Sequence, residues 1–236
     1  MNFRQDNSRE MAGVRNRSVE ISAFMSRVYG WMMLGIMVTG IVSYQIGSNP
    51  EMVQKIFSNQ VFFWAVVIVQ LLTVVFLSAM INRISAAAAA ITFLIYSALT
   101  GLTLSIIFIA YTQQSLAAAF ATTAAGFAGL SIFGYTTKRD LGPIGSFCMM
   151  GLFGMIALML LSFFIPSLGS NTMQLTYSVA GLIIFAGLTA YDTQRIKMLA
   201  ESGGGTGQQA VLGALMLYLD FINLFLNLLR LMGDRK

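Results

Sequence analysis

Apolar residues fall into seven long runs that are separated by short polar, glycine- or proline-containing segments. A helix needs about 20 mostly apolar residues to cross a bilayer, and every run is long enough. The runs cover residues 28–47, 61–81, 85–110, 115–137, 144–165, 173–193 and 209–231. Because the connections are short, consecutive helices are expected to be antiparallel neighbours. The pattern predicts an all-α, polytopic membrane protein in which residues 27–236 form a seven-transmembrane-helix bundle.

Composition supports this class and excludes several others. The chain is 57% hydrophobic and 10% charged, whereas soluble domains carry roughly 25% charged residues. The net charge of +5 comes from short basic clusters between apolar runs, which set membrane topology and do not indicate nucleic-acid binding. There is no His, and the one Cys, Cys148, lies inside an apolar run and is predicted to be a small buried hydrophobe. This excludes disulfides, Cys/His metal sites and Ser-His-Asp or Cys-His catalysis, and we expect neither an enzyme nor a cofactor.

Residues 1–26 have no apolar core of their own and carry acidic residues, so they do not resemble a signal peptide. They are predicted to form a flexible cytoplasmic tail. The absence of a targeting signal favours a bacterial plasma membrane over an organelle.

Basic residues predict the orientation of the bundle. Ten of the 14 Lys and Arg residues lie before the first run or in connections on the same side of the membrane, and such residues favour the cytoplasm. The N-terminus is therefore predicted to be cytoplasmic. The preference of basic residues for the cytoplasm fails for Arg230, Arg235 and Lys236 if the last run crosses the membrane. It holds for them if that run is a re-entrant hairpin. Its length favours a crossing.

Two carboxylates stand out against the apolar background. Asp220 lies within the last run and Asp192 at the end of the sixth. A charged residue at the centre of a membrane helix costs about 2.5 to 3.5 kcal/mol on insertion scales, so such residues are functional by default. The midpoint between the two is residue 206, inside the intervening turn, which would place them at similar depth in an antiparallel pair. Counting from the ends of the apolar runs instead places Asp192 shallower.

Asp220 belongs to a polar stripe on the last helix. Spacings of three and four residues place the members of this stripe on one face: Gln209, Gly213, Met216, Asp220, Asn223 and Asn227. A polar face avoids lipid and points into the bundle or a water-filled path. The last helix is therefore predicted to be central, with Asn223 and Asn227 supporting the site.

A close carboxylate pair in a medium of low dielectric constant does not ionise twice cheaply and tends to share one proton. Such a pair can sense cytoplasmic pH and, when ionised, attract cations. Asp192 and Asp220 would form an incomplete and weak site for Ca²⁺, which prefers six to eight oxygen ligands. Weak binding suits permeation. Arg83 is predicted on the same side as Asp192 and could bind it.

Each of these residues also has a structural interpretation. Arg83 could simply anchor the chain at the membrane surface. Asp192 could pair with Arg195 one helical turn away. Asp220 could form an interhelical hydrogen bond.

Five segments resemble the Bax inhibitor family, specifically its short bacterial members. They are "RVYGWMMLGIMVTGIVSY" (27–44), "ALTGLTLSIIF" (98–108), "FGYTTKRDLGPIGSF" (133–147), "TAYDTQRIK" (189–197) and "ALMLYLDFINLFLNLLRLMG" (214–233). The resemblance implies a seven-helix bundle with a central last helix and a pH-sensitive Ca²⁺ leak across the membrane. It implies that Asp192 and Asp220 are the di-aspartyl sensor, and that Arg83 is the latch arginine that bridges to Asp192 in the closed state.

Two further functions remain open. The protein could be a non-conducting regulator of a membrane-bound protease or of stress and cell-death machinery, as some relatives in this family are. It could also be an intramembrane aspartyl protease, since Tyr191–Asp192 matches the "YD" motif of those enzymes. However, "LYLD" (217–220) lacks the glycines of their "GxGD" motif, and glycines let a substrate backbone approach the catalytic acid.

Overall fold

The computed structural model describes residues 3–236, apart from the side chains of residues 3–16, 166, 168 and 171. Within this part the chain is helical, without strands. The helices are α1 (Phe3–Gly47), α2 (Pro50–Ser58), α3 (Gln60–Met80), α4 (Ala86–Leu104), α5 (Ile107–Ala110), α6 (Gln113–Thr136), α7 (Gly142–Leu161), α8 (Asn171–Glu201) and α9 (Gly207–Met232). Seven segments are long and apolar enough to cross a membrane. The predicted all-α, seven-span architecture is confirmed.

Helix α1 is continuous across residue 26, where the sequence suggested a boundary between tail and bundle. Phe24 and Met25 are already buried in the core, so the packed part of the chain begins before residue 27. The flexibility of residues 1–26 stays a prediction. Residues 1 and 2 lie outside the described part.

Helix α2 is a short element between the first two spans. Its start is fixed by Asn49, whose side chain accepts hydrogen bonds from the backbone N–H groups of Glu51 and Met52 at 3.1 and 3.2 Å. Pro50 occupies the first turn, where its missing N–H has no helical partner to lose. The sequence pattern predicted only a connection at the start of this segment.

Helix α9 is the centre of the bundle, as predicted. In its apolar segment 61% of the residues are buried, against 11% to 39% in the other spans. It packs against α1, α4, α6 and α8. Because neighbours cover most of its circumference, Leu217 and Tyr218 are fully buried although they do not belong to the polar stripe.

Helix α9 also runs from one end of the bundle to the other without interruption. Near its start, Gln209 Nε2 donates to Asn82 Oδ1 at 2.7 Å. Beyond its end, the Lys236 N–H donates to the Ala110 carbonyl at 3.1 Å, and the Thr112 N–H donates to the Asp234 carbonyl at 3.2 Å. The last segment is therefore one uninterrupted helix, long and apolar enough to cross a membrane, and not a re-entrant hairpin. The two ends are called here the Arg83 end and the C-terminal end.

A buried hydrogen-bond chain ties α9 to α1 and α4. Tyr218 OH lies 2.6 Å from Thr39 Oγ1, and Thr39 Oγ1 donates to the Ser97 carbonyl at 2.8 Å.

We expect Tyr218→Phe to destabilise the protein by roughly 0.6 kcal/mol, and by no more than about 1.7 kcal/mol, because these are the average and the largest values for interhelical hydrogen bonds in membranes. Thermal unfolding in detergent would measure this. Tyr44→Phe is the matched control, because Tyr44 is exposed on α1; an equal effect of both substitutions would contradict the assignment.

Candidate functional site

Asp220 lies midway along α9 and is almost completely enclosed, with 4% of its surface exposed. Its Oδ2 atom is buried and has no hydrogen-bond partner among the described residues. Buried polar atoms are normally paired, and an exception calls for a functional or structural explanation. The structural interpretation of Asp220, an interhelical hydrogen bond, is therefore not satisfied at this oxygen.

Asp192 approaches Asp220 from the adjacent helix. It is half-buried on α8, and the two carboxylates are close enough for their charges to interact. Two close contacts define how α8 and α9 are aligned along their lengths, that is, their register. A side chain at Gly181 would meet Asn227, and one at Gly213 would meet Ile196. In this register Asp192 lies one helical turn, about 6 Å, from the level of Asp220 towards the Arg83 end.

This register differs from the prediction of equal depth, which assumed symmetry about residue 206. It agrees with the alternative prediction from the ends of the apolar runs, which placed Asp192 shallower than Asp220. Helix α8 continues to Glu201, two turns beyond the predicted run, and α9 begins at Gly207. The turn is therefore centred near residue 204. Moving the centre of the turn towards the N-terminus shifts the pairing of every residue on the two helices.

Arg83 and Arg195 lie at the same end of the bundle as Asp192. Arg83 is exposed in the turn after α3, and Arg195 is exposed on α8. The charge of Arg195 acts on Asp192, but among the described residues the ion pair within 4.0 Å joins Lys197 to Glu201, at 3.6 Å. The structure thus places Arg83 at the same end of the bundle as Asp192 but shows no ion pair between them. The role of Arg83 as a latch stays a prediction.

Cys148 on α7 is a third component that sequence analysis interpreted only as a small buried hydrophobe. It is buried, as predicted, and its Sγ packs against Gly187 of α8. It is also close enough to Asp220 for the charge of that carboxylate to act on the thiol. Because Gly187 has no side chain, the sulfur can pack directly against the backbone of α8. No local sequence pattern predicts this contact.

The members of the polar stripe line two separate cavities along α8 and α9. The first, of about 360 Å³ at the Arg83 end, is lined by Gln209, Gly213 and Met216. The second, of about 590 Å³ towards the C-terminal end, is lined by Asn223 and Asn227. Asp220 lies between these two groups in sequence and lines neither cavity. This second space is called here the C-terminal cavity.

The two asparagines are held by their own helix. Asn223 Nδ2 donates to the Leu219 carbonyl, and Asn227 Nδ2 donates to the Asn223 carbonyl, both at 2.8 Å. In the part of the chain that the structure describes, no three Asp, Glu, Cys or His side chains converge to hold a metal ion. Asp192 and Asp220 could therefore contribute to a weak cation site only, with other ligands from backbone or water.

Gln194 is a positioning residue that sequence analysis did not single out. Its Oε1 accepts from the Leu141 N–H at 2.9 Å, and its Nε2 donates to the Arg139 carbonyl at 2.8 Å. One side chain thereby satisfies two backbone groups of the connection between α6 and α7. This contact fixes α8 against that connection, two residues after Asp192.

Comparison with known proteins agrees with this architecture. The family model described as "Inhibitor of apoptosis-promoting Bax1" matches residues 21–236. The inner membrane protein YbhL of Escherichia coli K12 is 43% identical over 221 residues, covering 92% of this chain and 93% of the relative. An uncharacterised protein of Borreliella burgdorferi is 43% identical over 217 residues, covering 90% and 92%.

These matches extend over nearly the whole bundle, and the relative from E. coli is described as an inner membrane protein. Together with the seven apolar helices, they support a multi-pass bacterial inner membrane protein. The chain belongs to the Bax inhibitor family.

Proposed function

We propose that this protein is a pH-sensitive cation leak channel that passes Ca²⁺, controlled by the carboxylates of Asp192 and Asp220. The observation that carries the proposal is the buried, unpaired Oδ2 of Asp220 halfway along the central helix, within reach of the charge of Asp192. Intramembrane acids of this kind mark ion or proton pathways.

The chemistry of the pair supplies the pH dependence. Two neighbouring carboxylates with little access to water tend to hold one proton between them. Gaining the second proton removes the negative charge, and losing the shared proton leaves two carboxylates that attract a divalent cation. Ca²⁺ is a hard cation that binds oxygen ligands, and a site with few protein ligands lets it leave again.

The two cavities suggest where an ion would travel. Each opens along α8 and α9, one on either side of Asp220. Passage would require the protein between them to separate at the level of the carboxylates. With the N-terminus in the cytoplasm, as the basic residues favour, Asp192 would lie on the cytoplasmic side of Asp220 and respond to cytoplasmic pH.

Calcium entry into liposomes that contain the purified protein tests the proposal. We expect entry above that of empty liposomes and different rates at pH 6, 7 and 8, read from an enclosed calcium-sensitive dye. A rate that rises with pH would indicate that ionised carboxylates attract the cation. A rate that falls would indicate that ionised Asp192 is held by Arg83 in a closed state, and Arg83→Gln would then remove the dependence.

Folded protein that passes no more Ca²⁺ than empty liposomes at every pH would overturn the channel proposal. The regulator of a membrane-bound protease would then become the leading function. Monodisperse elution of the protein extracted from the liposomes would serve as the control for folding.

A further inference from the structure

The C-terminal end carries two cations that the proposed channel does not use. Arg230 and Arg235 are exposed, and neither forms an ion pair within the described part of the chain, where the pair present lies at the Arg83 end. Lys236 differs, because its Nζ donates to the Phe108 carbonyl at 2.8 Å. The two arginines depart from the usual distribution of basic residues and are available to an anion.

The C-terminal cavity lies beside these arginines, between α7, α8 and α9. One part of its wall is apolar and includes Leu152, Met155 and Phe185, whereas Asn223 and Asn227 line it on the side of α9. Ile156 and Met159 also line it and are exposed on the outer surface of α7, where lipid surrounds the bundle. Its volume of about 590 Å³ is within the range of ligand pockets. The cavity is therefore accessible to a hydrocarbon chain from the membrane.

The mouth of the cavity is polar. Arg230 and Gln174 line both this cavity and a neighbouring one of about 240 Å³, to which Arg235 also contributes. The hydroxyl of Tyr177, which lines the C-terminal cavity, is buried without a hydrogen-bond partner among the described residues. Two guanidinium groups and an unpaired hydroxyl thus lie beside an apolar space.

We propose that the C-terminal cavity binds one anionic phospholipid, with its phosphate at Arg230 and Arg235 and one acyl chain along α7. Guanidinium groups bind phosphate oxygens through paired hydrogen bonds, and basic pockets between membrane helices suit lipid headgroups. The bound phosphate would also offset the two positive charges, which otherwise oppose the passage of a cation through this mouth. A small soluble anion would satisfy the arginines but leave the apolar wall uncovered.

Native mass spectrometry of the purified protein in detergent tests this inference. The protein is titrated with phosphatidylglycerol, phosphatidylcholine or inorganic phosphate. We expect one phosphatidylglycerol to bind about tenfold more tightly than phosphatidylcholine. The double substitution Arg230→Gln/Arg235→Gln should remove this preference, and Tyr177→Phe should weaken phosphatidylglycerol binding while leaving the fold intact.

Lys138→Gln/Arg139→Gln is the matched control, because it removes two exposed cations at the Arg83 end; it should keep the preference. Equal binding of the two lipids by wild-type protein overturns the proposal without requiring any variant to fold. Retained preference in the Arg230/Arg235 variant also overturns it. Displacement of the lipid by millimolar inorganic phosphate would show a simple anion site and would equally overturn the lipid assignment.

Discussion

Asp220→Asn is expected to make calcium flux through the protein nearly independent of pH. The substitution keeps the shape of the side chain but removes the group that shares a proton with Asp192. The buried Oδ2 has no hydrogen-bond partner among the described residues, so replacing the carboxylate breaks no existing hydrogen bond there. The measurement is dye-reported Ca²⁺ entry into liposomes at pH 6, 7 and 8, with each rate normalised to the amount of inserted protein.

The pairing of the two carboxylates also predicts the effect of Asp192→Asn. If the residues act as a unit, this variant should also flatten the response, and the double variant should have little additional effect, since coupled residues are not additive. Asp140→Asn is the matched control. Asp140 is exposed in the connection before α7 and accepts the Gly142 N–H, which an Asn can also do. A normal pH response in Asp220→Asn would contradict the assignment of the sensor.

Gly134→Leu is expected to have the largest effect on stability, because α6 and α8 touch at this position. A Cβ atom at Gly134 would overlap the carbonyl oxygen of Ala190, and backbone cannot yield as a flexible side chain does. Overpacking of this kind typically costs 1–3 kcal/mol, occasionally more. We expect a lower unfolding midpoint in detergent and a smaller monodisperse fraction in size-exclusion chromatography.

Gly126→Leu provides the control on the same helix. Gly126 is exposed, and a Cβ there would meet nothing within 4 Å. Both variants add the same side chain to a glycine in α6, so both gain the same helix propensity. Equal unfolding midpoints for the two variants would show that the contact between Gly134 and Ala190 does not limit stability.

The sequence by itself determined the class of the protein and the number of its spans. Long apolar runs are unstable in water, and a bilayer requires every backbone group to be hydrogen-bonded, which a run of about 20 apolar residues achieves as a helix. Length and composition are therefore sufficient. Asp220 could also be identified from sequence, since one carboxylate in an apolar helix is costly wherever its neighbours lie. The spacing of its stripe was enough to predict that α9 is central.

Only the tertiary structure decided how the helices align. A helix repeats every 3.6 residues, so sequence spacing assigns a residue to a face but does not fix its depth against another helix. The extension of α8 to Glu201 therefore moved Asp192 one turn from the level of Asp220. The contact of Cys148 with Gly187 and the cavity beside Arg230 likewise depend on residues far apart in the chain, which meet only when the helices pack.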